Sequence, residues 1–208
     1  MTAPGPSLPQ GARTIRLALV AFIVTCALLF VVGSRLKPLR ESDPGFPIAE
    51  RAQAQPDGTF LVTLDVKSRD HWVPFNFAAG RVVPTEQQAD ILARRSVLRA
   101  PKGAKNLGTI ELADAQTTDS GWVYDERVDD ALKNTSLSDW YDYSQMTHLL
   151  HSKKDTFAVR RGDSSGVVFL QMHSYYCEPD GSACLTLRYR LAAPEELGSS
   201  TASPEEDE

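Results

Sequence analysis

Residues 167–191, VVFLQMHSYYCEPDGSACLTLRYRL, hold the pattern that decides the fold of this 208-residue chain. From Leu185 to Leu191, large apolar side chains occupy every second position, and the positions between them are polar or basic. Because side chains alternate between the two faces of a strand, this spacing predicts a half-buried β-strand. A second strand is predicted over Val167–Tyr176, and the turn-forming residues between the two runs predict an antiparallel pair.

Period-two patterns of the same kind recur through most of the chain. Strand-like runs occupy Phe60–Val66, Trp72–Phe77, Val97–Leu98, Leu107–Leu112, Trp122–Tyr124 and Phe157–Arg160. Patterns with helical period are scarce, and only Thr85–Arg95 and Asp129–Leu137 are expected to supply short helical turns. Short strands separated by turn signals predict a mainly β domain with antiparallel sheets.

Two of the cysteines close the predicted hairpin. Cys177 and Cys184 enclose the turn-rich segment EPDGSA. A disulfide at this place would persist only in an oxidising compartment, so it predicts that most of the chain lies outside the cytoplasm. The alternative is a pair of free thiols near the hairpin.

The N-terminal part contains one strongly apolar segment. Leu17–Gly33 is seventeen residues without a charge, and basic residues flank it on both sides. As a helix it would reach about 25 Å, slightly less than the ~30 Å hydrocarbon core of a bilayer, and tilt or local thinning would accommodate the difference. We expect a single transmembrane signal-anchor over residues 13–34, which attaches the chain to a bacterial membrane. A cleaved secretory signal, with Val32–Ser34 as its exit, is the competing interpretation.

Composition sets the remaining boundaries. Residues 1–12 predict a disordered leader, and the prolines and glycines of residues 35–58 predict a flexible tether. The folded β domain is expected over residues 59–193. Residues 194–208 predict a disordered tail with six acidic side chains and no basic one, so the net charge of −5 becomes +1 for the rest of the chain. Such a near-neutral body offers no electrostatic surface for nucleic acid.

Several short blocks of uncommon residues follow one another along the chain. In the C-terminal half, the blocks are Trp140–Tyr143, Thr147–Leu150, Phe157–Arg160, Ser174–Cys177 and Cys184–Tyr189. The earlier blocks are Trp72–Phe77, Gly80–Val83, Asn106–Gly108 and Gly121–Glu126. Taken in this order, the blocks resemble the HmuY-like proteins, a bacterial envelope family whose best-known members are haem-binding lipoproteins. The resemblance covers roughly residues 60–191 and implies an antiparallel HmuY-like β domain. One block departs from the family pattern, because a Trp-Asp-Leu-Ala-Phe-type stretch reads Ala89–Ala93 here and lacks the two large aromatic residues.

Haem is the ligand that the resemblance implies. Members of the family hold haem iron between two histidines, and relatives use methionine. Imidazole nitrogen and thioether sulfur both coordinate haem iron, so the candidate ligands are His148, Met146, His173 and Met172, with the two histidines as the metal ligands of first choice. Tyr143 and its aromatic neighbours are candidates for stacking on the flat macrocycle.

Each candidate ligand also has a simpler explanation. His148 is the first choice, and in an extended segment it shares a face with Met146; otherwise it is bonded within the surrounding aromatic residues. Met172 and His173 are neighbours on a predicted strand and point to opposite faces, so only one of them can reach a given pocket. Core filling is the stronger expectation for Met172. His148 and His151 have a His-x-x-His spacing but no further zinc ligand nearby, and the alternative is an exposed His151.

Motifs of catalysis are missing from the sequence. It contains no nucleophile elbow, phosphate-binding glycine loop, HExxH segment or dinucleotide fingerprint. We therefore interpret the chain as a non-enzymatic, membrane-anchored, extracytoplasmic protein that captures haem or another flat hydrophobic ligand. The alternative is an envelope structural or protein-interaction domain of the same fold that has lost the haem site, and the missing aromatic residues of Ala89–Ala93 favour it. The sequence identifies no receptor.

Overall fold

The computed structural model describes residues 10–35, 42–162, 166–179, 181–193 and 197–198. These residues form two units, a long helix α1 (Gln10–Arg35) and a β domain whose described part begins at Ser42. Most of the predicted leader and most of the predicted acidic tail lie outside the described residues.

Helix α1 contains the apolar segment Leu17–Gly33. In the part of the chain that the structure describes, no helix is long and apolar enough to span a membrane. This finding does not support the transmembrane anchor that was predicted over residues 13–34.

The described part of the β domain is built from short strands and two short helical elements. The strands are β1 (Gln53–Ala54), β2 (Phe60–Asp65), β3 (Val73–Asn76), β4 (Arg81–Val82), β5 (Ile91–Arg94), β6 (Val97–Arg99), β7 (Ala104–Gly108), β8 (Thr117–Thr118), β9 (Asp125–Val128), β10 (Ala131–Asn134), β11 (Tyr141–Tyr143), β12 (Leu150–Ser152), β13 (Thr156–Arg160), β14 (Val167–Tyr176), β15 (Ser182–Leu191) and β16 (Leu197–Gly198). Helix α2 spans Thr135–Ser138, and 3-10 turns occupy Glu86–Gln88 and Leu112–Asp114.

Two antiparallel sheets account for the body of the domain. The larger has the strand order β1-β2-β15-β14-β13-β7, and the smaller has the order β4-β3-β5-β6. The pairs β9-β10 and β11-β12 are antiparallel hairpins, and β8 and β16 form a short parallel pair. The predicted mainly β domain with antiparallel sheets is confirmed, and the stretch 167–191 forms the two central strands of the larger sheet.

The main core lies on one face of the larger sheet. Alternate residues of β2, β14 and β15 point into it, as the period-two pattern predicted, and each of these buried side chains contributes about 1.5–3 kcal/mol relative to an exposed one. Large side chains from both sheets and from the start of β11 fill this core: Val62, Leu64, Phe75, Phe77, Trp140, Leu170, Met172, Leu185, Leu187 and Tyr189.

The segment before β1 is bonded to the larger sheet. Ala49 donates its N–H to the carbonyl oxygen of Thr63 at 3.0 Å, and Phe46 donates to that of Tyr176 at 3.1 Å. A Cβ atom at Gly45 would lie 2.5 Å from the carbonyl oxygen of Cys177, so only glycine permits this close approach. Residues 43–58 therefore belong to the folded domain, although the sequence predicted a tether up to residue 58.

Each segment that was expected to supply a short helical turn contains one, next to a strand that the sequence did not predict. In Thr85–Arg95, a 3-10 turn is followed by β5, where Ile91, Leu92 and Ala93 are at most 1% exposed. Burial on both faces removes the alternation that identifies a strand, so the sequence pattern resembles that of a short helix. The segment Asp129–Leu137 holds β10 and then the single turn α2.

Candidate ligand-binding site

His148 lies in the loop of the β11–β12 hairpin. The hairpin begins beside Trp140, which is 1% exposed and donates its Nε1–H to the carbonyl oxygen of Ser96 at 3.0 Å. In the loop, the N–H of Ser144 bonds the carbonyl oxygen of Leu149 at 2.9 Å, and the N–H of His148 bonds that of Ser144 at 2.8 Å. His148 itself has a φ of 56°, an uncommon conformation for a non-glycine residue. A short closed loop therefore holds this imidazole at the surface.

The His148 ring is held by a tyrosine of the same hairpin. The hydroxyl group of Tyr143 and Nδ1 of His148 form a hydrogen bond of 2.6 Å. Because Nδ1 is engaged, Nε2 is the ring nitrogen left for a ligand, and no described residue bonds it. The aromatic surroundings that the sequence predicted for His148 are present, and they leave one coordinating atom available.

An open cleft of about 380 Å³ begins at His148. Its volume lies within the range of about 300–1,000 Å³ that small-molecule sites occupy. Two hydrogen bonds join Tyr176 to Leu150 in the cleft wall. The hydroxyl group of Tyr176 donates to the carbonyl oxygen of Leu150 at 3.1 Å and accepts from the Leu150 N–H at 2.8 Å. The lining consists of one imidazole, two leucines, two tyrosines, one arginine and two serines: His148, Leu149, Leu150, Tyr175, Tyr176, Arg95, Ser96 and Ser182.

Arg95 is the cationic residue of the cleft, and it was not among the residues predicted from the sequence. It lies in the turn between β5 and β6 with a φ of 56°, and its Nη1 donates to the carbonyl oxygen of Lys67 at 3.3 Å. Burial raises the pKa of the cleft residue Tyr175, and the nearby positive charge of Arg95 partly opposes that rise. Only tertiary packing brings this turn to the end of β14, so no local sequence pattern could have indicated its role.

The two candidate methionines lie in different environments. Met146 is in the same loop as His148 and is 78% exposed. Met172 is 1% exposed and packs in the main core, as the stronger expectation for it stated. The structure thus leaves Met146 exposed outside the cleft lining and encloses Met172 among apolar side chains.

His173 follows Met172 on β14 and does not line the cleft. Burial, together with the positive charges of Lys154 and Arg188, lowers its pKa from 6.5 to about 4, whereas Asp43 acts in the opposite direction. Its Nε2 is buried and has no hydrogen-bond partner among the described residues. His173 is therefore a neutral, partly buried imidazole near two cations.

His151 is buried, whereas an exposed His151 was the predicted alternative to a metal ligand. It is 4% exposed, and neither ring nitrogen has a hydrogen-bond partner among the described residues. On β12, His151 lies opposite Asp142, and its neighbour Leu150 points to the other face, which lines the cleft. His148 and His151 therefore do not form a metal site at the cleft. In the described chain, no three His, Cys, Asp or Glu side chains come together in a way that could hold a metal ion.

The predicted disulfide joins β14 to β15. Cys177 and Cys184 form a bond of 2.08 Å with their Cα atoms 5.1 Å apart, so the alternative of two free thiols does not hold. Both residues are buried, at 6% and 0% exposure.

Comparisons with known proteins extend the result. No family model matches the sequence, and no curated protein sequence matches it. Among solved structures, the chain is similar to a protein of Bacteroides vulgatus described as an HmuY-like haem-binding protein, with 15% identity, 68% of this chain and 97% of that chain covered, and a TM-score of 0.56. It is also similar to the apo form of the HmuY analogue of Tannerella forsythia, with 14% identity, 65% and 96% covered, and a TM-score of 0.56.

A third similar structure is a protein of Bacteroides fragilis described as a lipoprotein. Its identity is 15%, the covered shares are 66% of this chain and 91% of that chain, and the TM-score is 0.54. At these identities the likeness is one of fold. The β domain of this chain has the fold of the HmuY-like proteins, which confirms the resemblance that its sequence blocks indicated.

Proposed function

We propose that this protein is a binding module that works outside the cytoplasm and captures a flat, carboxylate-bearing ligand, with haem as the first candidate. One observation carries the proposal: an exposed imidazole, two tyrosines and an arginine converge on a single open cleft. The Cys177–Cys184 disulfide supports an oxidising location. Two solved structures of the same fold support this setting and this ligand class: one is described as a lipoprotein and the other as a haem-binding protein.

The residues at the cleft fit haem held from one side. Nε2 of His148 would supply an imidazole nitrogen, which is a common ligand of haem iron. Tyr143 orients the ring through its bond to Nδ1, an arrangement typical of metal-binding histidines. Leu150 and Tyr176 supply apolar surface for the macrocycle, and the guanidinium of Arg95 can pair with a carboxylate.

The cleft does not supply the paired histidines that the family resemblance implies. Met172 is enclosed in the core, and His173 does not line the cleft. Met146 lies in the same loop as His148 but is not part of the cleft lining. In the proposed function, Nε2 of His148 would therefore be the iron ligand that this chain supplies.

Titration of the full-length protein with haemin tests the proposal. We expect saturable binding with a Soret shift, and at least about tenfold weaker binding for His148→Ala, because the axial ligand is lost. Tyr143→Phe should weaken binding about tenfold, since the ring of His148 is no longer oriented. His71→Ala is the matched control, because His71 is an exposed histidine outside the cleft, and it should bind haemin like the unmodified protein.

The role of Arg95 can be separated from that of His148. Haemin dimethyl ester keeps the macrocycle and iron but has no free carboxylate. Arg95→Gln should therefore weaken the binding of haemin and leave that of the ester unchanged. Equal losses for both compounds would refute the carboxylate role of Arg95.

The second candidate function is an envelope interaction domain of the same fold without a haem site. The absence of a second axial ligand from the cleft favours it. The replaced aromatic block Ala89–Ala93 does not, because its residues fill β5 and the core and none of them lines the cleft. No Soret shift with haemin, in a protein that is folded by circular dichroism, would select this function.

A further inference from the structure

A second cavity lies where the segment before β1 crosses between the two sheets. It measures about 620 Å³ and does not share lining residues with the His148 cleft. The segment is bonded on both sides, since Ala49 donates to Thr63 of β2 at 3.0 Å and Ala52 donates to the carbonyl oxygen of Gly80 before β4 at 2.7 Å. The seam between two sheets is thereby held open over a defined length of chain.

Two arginines face each other at this cavity. Arg51 and Arg81 are partners in an isolated antiparallel bridge, and both line the cavity. Like charges directly opposite across strands destabilise the pair, because their Cβ atoms are only about 4.5–5.5 Å apart. Neither arginine forms an ion pair or a side-chain hydrogen bond with any residue that the structure describes. A bound anion would relieve this repulsion.

The charges of the lining residues sum to zero, and the sum becomes +1 when Lys67, which pairs with Asp65 from outside the lining, is included. Of its two acidic residues, Asp65 is engaged by Lys67, whose Nζ is 3.9 Å from Asp65 Oδ2 and whose N–H donates to Oδ1 at 3.1 Å. Glu50 offsets one of the two arginines. One positive charge therefore remains for a ligand, which matches a carboxylate better than a doubly charged phosphate.

Exposed aliphatic side chains border the same cavity. Ile48 is 46% exposed and Val82 is 40% exposed, and both belong to its lining. Arg51 also borders a neighbouring cavity of about 250 Å³ whose lining includes the apolar rings of Phe60 and Phe77. An apolar body next to the anionic group would cover these surfaces and gain about 25 cal/mol per Å² of apolar area that leaves water.

We propose that this seam cavity binds an amphipathic monocarboxylate, with its carboxylate between Arg51 and Arg81 and its hydrocarbon part against Ile48 and Val82. This site is separate from the His148 cleft, and the proposal does not depend on the function proposed for that cleft.

Calorimetric titration of the full-length protein with dodecanoate, below its micellar concentration, tests the site. We expect saturable one-to-one binding, weakened at least about tenfold by the double substitution Arg51→Gln and Arg81→Gln, because a charge-assisted bond is lost at each position. Ile48→Glu should also abolish binding, since it adds a repelling charge to the apolar rim. Arg69→Gln, which changes an exposed arginine outside the cavity, is the matched control and should bind like the unmodified protein.

Ligand chemistry gives a second set of tests. Dodecanol should bind at least about tenfold more weakly than dodecanoate, because it has the chain without the charge. Glu50→Gln should tighten dodecanoate binding, since the local charge becomes more positive. Equal affinity for dodecanol, or tighter binding of dodecyl phosphate, would overturn the assignment.

Folding and independence are tested with the same variants. Because both arginines are exposed and repel each other, the double variant should unfold at the same temperature as the unmodified protein or at a higher one. His148→Ala should keep dodecanoate binding, and the arginine double variant should keep its response to haemin. A dodecanoate affinity that falls with His148→Ala would place the ligand in the other cleft and refute the seam site.

Discussion

The β11–β12 hairpin and strand β14 each contain a histidine and a methionine that were predicted as candidate ligands. The two regions differ in how far they expose these side chains to solvent. In the hairpin loop, Met146 is 78% exposed and His148 lines an open cleft. On β14, Met172 is 1% exposed and His173 is a partly buried residue away from the cleft. A strand in the middle of a sheet commits each side chain to a face and to its packing, whereas a loop leaves side chains available to a ligand. The same pair of residue types is therefore packed into the sheet in one region and exposed in the other, where the proposed function gives His148 a binding role.

The largest expected effect contrasts the two methionines. Met172→Ala should lower the free energy of unfolding by about 3 kcal/mol, because it leaves a cavity in the main core. Met146→Ala is its matched control and should change stability by less than about 0.5 kcal/mol. Urea unfolding followed by circular dichroism measures both values. Similar losses for the two variants would show that the loop is packed as tightly as β14, and the contrast would fail.

The disulfide gives the next effect, because it closes the end of β14. Replacing Cys177 and Cys184 together by alanine should lower stability by about 2–3 kcal/mol, since the bridge restricts a short loop of the unfolded chain. Urea unfolding in the presence and absence of a reductant gives the comparison, and the reductant should not affect the double variant. The haemin response should persist as long as the variant is folded, because neither cysteine lines the His148 cleft.

The smallest effect is the pH dependence of stability that His173 produces. The pKa of His173 is about 4 in the folded protein, below its ordinary value of 6.5, so the folded state binds fewer protons than the unfolded state between these values. Stability should therefore fall as the pH drops from 6.5 towards 4, by about 1–2 kcal/mol between about pH 7.5 and about pH 5 after allowance for partial solvent exposure.

A variant comparison isolates this contribution. His173→Gln should show a smaller fall in stability over the same interval than the unmodified protein. Urea midpoints at the two pH values measure the difference. An unchanged fall in His173→Gln would mean that another group is responsible for the pH dependence.

Much of the sheet was predictable because it depends on local alternation. The bounds of β14 and most of β15 follow from residues 167–191, and the bridge follows from the turn that Cys177 and Cys184 enclose. The pattern failed at Ile91–Ala93, because a strand buried on both faces has no polar alternation. It also failed at residues 43–58, whose prolines and glycines suggested a tether, since the bonds that hold this segment come from strands far away in sequence.

The candidate site was predictable only in part. The loop of His148 and its aromatic partner Tyr143 are neighbours in sequence, so their association could be anticipated. Arg95 could not be found in this way, because it reaches the cleft only when the β5–β6 turn packs beside β14. The burial of His151 was missed for a similar reason: nearby lysines suggested solvent, but burial depends on what the fold places over the strand.

The bonds made by the start of the domain have a consequence for the order in which it forms. Pro44 accepts a hydrogen bond from the hydroxyl group of Ser174, 130 positions later, and Asp43 accepts one from the N–H of Ser152, 109 positions later. Contacts between such distant parts of a chain are slow to form, because a long loop must close before they stabilise anything. During synthesis, this domain cannot fold completely until almost all of its chain has been made. Newly made chains should therefore depend on chaperones that keep the incomplete sheet from aggregating.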